Sequence, residues 1–234
     1  VVYNEMRGAL SSADAQVADA ILASLYPQTI YGKESGGDPY EIPSLSYEAF
    51  LDFHRRLYHP SNSYIFIYGD GDIAHFLAHI DSEYLSHYDR AEVDSSIDWQ
   101  PAFAKTKKLE TFYSVAPDAE TAGEDILAYA VSMGTRKQPA DIFVEEVLAE
   151  VLVESQAGPV KNALLAAGIG EDISAFSNDG LQIPFGIVAK ETDAAKRDEF
   201  VRIIDDTLAD LVKNGIDKDL LTAAVNKMEY ALRE

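Results

Sequence analysis

Cysteine is absent from the 234 residues, which excludes disulfides, thiolate-held metals and a cysteine nucleophile. No apolar run approaches the roughly 20 residues that a membrane-spanning helix needs. No basic stretch followed by an apolar one marks a secretory leader. Together these absences set the expectation of a cytoplasmic protein with no membrane partner. Basic side chains are also scarce: 19 Lys and Arg stand against 40 Asp and Glu, a formal net charge of −21. Such a surface repels phosphate backbones, which argues against nucleic acid, and at low salt it attracts cationic peptides. Three familiar sequence patterns are missing as well. There is no Gly-x-Ser-x-Gly elbow, "SGGD" is not followed by Gly-Lys-Ser/Thr, and "AAGIGED" lacks dinucleotide-binding spacing.

What is present reads as an α+β protein, with helices packed on an antiparallel sheet. Apolar residues recur at helical spacing up to Tyr26, where Pro27 stops the run. Gly8 and the Ser11–Asp14 stretch allow either one helix or two, with Ser12 or Asp14 capping the second. A long Gly- and Pro-rich loop follows. Ser46 then predicts the start of a helix whose apolar face carries Tyr47, Phe50, Leu51, Phe53, His54, Leu57 and Tyr58. "SYIFIYGDGD" predicts a strand closed by a turn, and Asp72 an N-cap for a helix through Tyr84. Residues 89–108 lose periodicity and read as an interdomain connection. Beyond them the pattern predicts strands over 125–135, 173–179 and 182–191, with Pro184 at an edge or bulge. It also predicts helices over 141–154, 158–168, 194–215 and from Asp217 onward. Both ends of the chain fall within expected helices, so the chain is expected to be an internal piece of a longer polypeptide.

Five histidines invite a metal reading. His75 and His79 lie four apart on one helix face, with Glu83 a turn further on. Phe76 stands where a zincin helix has its glutamate, so a solvated pair is the expectation. The spacing of Asp70 and Asp72 lacks the twelve-residue calcium pattern and reads as a turn. By motif alone, no complete catalytic site is present.

Two long stretches nevertheless resemble a known family. "VVYNEMRGALSS" and "YGKESGGDPYEIPSLSYEAFLDFHRRLYHPSNSYIFIYGDGD", followed by "GPVKNALLAAGIG" and "GIDKDLLTAAVNKMEYAL", are similar to the presequence-protease, falcilysin-like branch of the pitrilysin/insulinase zinc metallopeptidases. The resemblance implies insulinase/mitochondrial-processing-peptidase-like domains, four per full chain, closing around a chamber. It implies one zinc held by an inverted His-x-x-Glu-His motif plus a distal Glu, and unstructured peptides as substrates. The family's Asn-Glu-Met segment falls on Asn4, Glu5 and Met6, so Glu5 is implied as the distal zinc ligand.

No His-x-x-Glu-His occurs in the 234 residues. Residues 1–88 are therefore expected to be the C-terminal part of a zinc-bearing domain, 89–108 a connection, and 109–234 most of a non-catalytic homologous domain. Alone the chain is expected neither to retain zinc nor to cleave. Its partners are expected to be peptide substrates and the remaining domains of the same polypeptide. The competing expectation is a non-catalytic scaffold or peptide-binding subunit of the same superfamily.

Overall fold

A computed structural model describes residues 1–136 and 140–234. Close packing groups them into two compact units. Unit 1 comprises Val1–Met6 and Gly36–Asp98, and unit 2 comprises Arg7–Ser35 and Trp99–Glu234. The cut at 98/99 falls inside the aperiodic 89–108 stretch, whereas residues 7–35 pack with the later part of the chain.

The N-terminal segment is two helices, α1 (Val2–Ala9) and α2 (Ala13–Leu25). Gly8 lacks a side chain to stabilise further helix, and Ser12 restarts the chain by accepting the Ala15 N–H on its hydroxyl. In unit 1, Ser46 caps α3 (Tyr47–Leu57) and Asp72 caps α4 (Ile73–Glu83), each through the N–H three residues on. The strand expected at 63–72 is not formed. A strand is stable only against a ladder partner, and no other described residue of unit 1 adopts a strand.

Unit 2 carries a three-stranded antiparallel sheet ordered β1 (Asp125–Thr135), β3 (Gln182–Thr192), β2 (Asp172–Ser177). The central strand β3 is buried almost throughout because helices cover both faces of the sheet. Phe185, Ile187 and Ala189 point to one face, where they meet Leu152, Val153, Val160, Leu164, Phe200 and Ile204. Those residues come from the segment after α5 (Ala140–Ala149) and from α6 (Pro159–Ala166) and α7 (Arg197–Asn214). Val188 points to the other face and packs on Ile21, Leu25 and Tyr26 of the α2 region. Lys190 adds a charged tie there, with its ammonium 2.8 Å from Asp14.

Pro184 sits in the central strand, not on an edge strand, yet its missing N–H is accommodated as the sequence predicts. It pairs with Ser132 just before a register shift, and it lies beyond the last β2–β3 pair, Ser177 with Phe185. The helix predicted over 141–154 widens after Ala149 into a π-helical turn, Glu150–Glu154. Gly168 ends α6 with φ +66, and Gly215 follows α7 with φ +87, a conformation that side-chain-bearing residues avoid. Asp217 then caps α8 (Lys218–Arg233) through the Asp219 and Leu220 N–H groups.

Candidate functional site

Glu5 lies in the first turn of α1, where a carboxylate is favoured by the helix dipole. Its N–H donates to the Val1 carbonyl at 3.1 Å, and the residue is exposed. A zinc centre takes at least three protein donors. Glu5 offers a single carboxylate, and among the described residues no group of three His, Asp or Glu side chains is placed to hold a metal.

The histidines are occupied in other ways. His75 and His79 stand exposed with ring centroids 6.4 Å apart, while the Glu83 carboxylate accepts from Ser82. His54 stacks on Tyr58 at 4.8 Å. His59 accepts the Ser61 N–H on Nδ1 at 3.1 Å, capping the short turn Pro60–Asn62, and meets the Tyr88 ring edge-on. The "SGGD" loop is a turn: Asp38 Oδ1 accepts the Tyr40 N–H at 2.8 Å, and its carbonyl accepts from Glu41 and Ile42. Asp72 serves as a cap.

The most strongly built polar cluster is one that sequence reading missed. Arg136 Nη2 donates to Glu145 Oε2 at 2.7 Å, and the two side chains are 13% and 2% exposed. The same guanidinium also donates to Asp179 and to the carbonyls of Asn178 and Gly180. It thereby fastens the β2–β3 turn to α5. Burial pushes the Glu145 carboxyl above the usual range, and the bond to Arg136 opposes that shift. Glu145 and Glu146 are indistinguishable as letters. The available signal is spacing, since Ile142, Glu145 and Leu152 share the inward face, whereas Phe143 and Val144 are exposed.

With this geometry in view, comparison with known proteins places the chain. A family described as "Peptidase M16 inactive domain" matches residues 44–228, and the chain belongs to that family. Among named relatives, Protein HypA of Clostridium perfringens is 42% identical over 235 residues, covering 100% of this chain and 24% of that protein. Presequence protease 1, chloroplastic/mitochondrial, of Arabidopsis thaliana is 34% identical over 241 residues, covering 100% and 22%. The chain thus spans about a quarter of the length of the curated relatives it matches. In fold, it is similar to the crystal structure of a peptidase M16 inactive domain from Pseudomonas fluorescens (TM-score 0.69, 17% identity, 97% of this chain and 53% of that one). It is also similar to pitrilysin (TM-score 0.53, 21% identity, 94% and 24%). The resemblance to the pitrilysin/insulinase family and its presequence-protease branch is borne out, as is the α+β class with an antiparallel sheet.

Proposed function

We propose that this chain is part of a longer zinc metalloendopeptidase that degrades short unstructured peptides. In this reading Glu5 is the distal zinc ligand, and residues 109–234 belong to a homologous domain that carries no metal. The observation that carries the proposal is the match along the whole chain to a protein named presequence protease, of which the chain spans 22%. The exposure of Glu5 on α1 supports it, because an exposed carboxylate is open to a metal held by other residues. The zinc would polarise a bound water for attack on the peptide carbonyl. This chain's part in that chemistry is to present one carboxylate oxygen, and the acidic surface would gather cationic peptides.

The test is peptide cleavage by the complete parent polypeptide beside its Glu5→Gln variant, with folding checked by circular dichroism. The expected result is cleavage by the parent, and loss of cleavage and zinc together in a folded variant. A folded parent that neither retains zinc nor cleaves would replace this reading with the non-catalytic scaffold.

A further inference from the structure

A cavity of about 360 Å³ opens in unit 2 between α5 and the turn that joins β2 to β3. Its lining includes Arg136, Ile142, Glu145, Glu146, Asn178 and Asp179, so three carboxylates stand against one cation. Glu146 and Asp179 are exposed at the rim, whereas the Glu145 side chain is only 2% exposed. The Nη atoms of Arg136 are fully engaged. Nη1 donates to Asp179 Oδ1 and the Gly180 carbonyl, and Nη2 donates to Glu145 Oε2 and the Asn178 carbonyl. Two buried polar atoms are left over, Glu145 Oε1 and Arg136 Nε, and neither has a hydrogen-bond partner among the described residues. A buried carboxylate oxygen without a donor is costly, and native proteins satisfy such atoms with water, an ion or a ligand.

We propose that this cavity binds a primary ammonium group, carried either by a lysine side chain or by a free amine. Oε1 of Glu145 is an acceptor without a donor, and in a lining with excess acid the favoured donor is itself positively charged. An anion is poorly served here. Bidentate recognition of a carboxylate or phosphate needs two guanidinium N–H groups side by side, and Arg136 has only its Nε–H uncommitted. Size argues against a lone bridging water, which fills about 30 Å³ in the liquid. The cavity has room for a whole side chain. Ile142 lines it and supplies apolar contact for a methylene stem, leaving the charged head to the carboxylates. Glu146 and Asp179 add an attraction at the rim that salt screens. The inference goes beyond the zinc reading and does not depend on it, because every one of these residues belongs to unit 2.

The test is titration calorimetry of the complete parent polypeptide at neutral pH and low salt. The probes are Nα-acetyl-lysine amide and cadaverine, with Nα-acetyl-norleucine amide as the uncharged control. The expected result is saturable binding of at least one of the two amines, weakening as salt rises, and no binding of the norleucine amide. A preference for the lysine derivative makes a peptide the source of the ammonium, and a preference for cadaverine makes it a free amine; either supports the site. Glu145→Gln should weaken binding at least about tenfold, as for a lost hydrogen bond to a charged group. Glu146→Gln, on the exposed rim, should weaken it about threefold without disturbing the fold, so that a misfolded Glu145 variant does not decide the outcome alone. Binding of neither amine, equal binding of the norleucine amide, or unchanged affinity in both variants overturns the proposal. Glu5→Gln should leave the affinity unchanged, which separates this inference from the zinc reading.

Discussion

The two units spend the same alphabet differently. Among the described residues, unit 2 holds both apolar core clusters, from Ile21 and Tyr26 through Ile204, whereas unit 1 buries only Pro39. In unit 1 the amphipathic helices α3 and α4 contain no buried residue at all. Yet α3 is better capped than α7: Ser46 accepts an N–H at the start of α3, whereas Lys196, before α7, makes no such bond. The difference lies in the availability of a partner surface. A helix face or an apolar strand gains its roughly 25 cal/mol per Å² only when another element removes it from water. Unit 2 brings its own sheet and its own helices, while the apolar faces of α3 and α4 in unit 1 lie open.

Cutting into the core of unit 2 is expected to have the largest effect. Phe200 is fully buried, and Phe200→Ala should cost about 3–5 kcal/mol, read as a lower urea midpoint. Next comes the buried ion pair. Removing one member of such a pair leaves an uncompensated charge, so Arg136→Ala should cost about 3 kcal/mol in the same assay.

A smaller and signed effect comes from pH. The folded-state pKa of Glu145 is raised, so the native state holds the proton more tightly than the unfolded chain does. Stability from this group is complete below the ordinary value near 4.5 and declines as pH rises through the raised value. Melting at stepped pH should show that decline above 4.5, and Glu145→Gln should flatten it. The smallest effect is predicted in unit 1. Phe66→Ala in this chain should change stability by less than about 0.5 kcal/mol, as for an exposed residue, despite its aromatic character. A loss as large as that of Phe200→Ala would dissolve the contrast between the units.

How far the sequence could be read follows the same division. Caps at Ser46, Asp72 and Asp217, the glycine stops at Gly168 and Gly215, and the three strands of unit 2 were all legible, because their signals are local. "SYIFIY" was legible as a strand by composition, but pairing depends on residues elsewhere. The propensity is present and the ladder is not. Glu145 was hidden for a related reason. Whether a glutamate in an apolar helix faces water or an arginine depends on tertiary placement of Arg136, which precedes it by nine positions across a strand end. The asymmetry at Glu5 is different again. Nothing in its neighbourhood distinguishes it from any exposed helical carboxylate, and only likeness along the chain singles it out.

The proposed role of Glu5 as a zinc ligand in a parent peptidase is open to a direct measurement of zinc stoichiometry. Metal analysis of the purified parent polypeptide should find about one zinc per chain. The folded Glu5→Gln variant should retain far less after dialysis against a weak chelator. Equal zinc in both proteins would return Glu5 to the solvated surface of α1 and rule it out as a ligand.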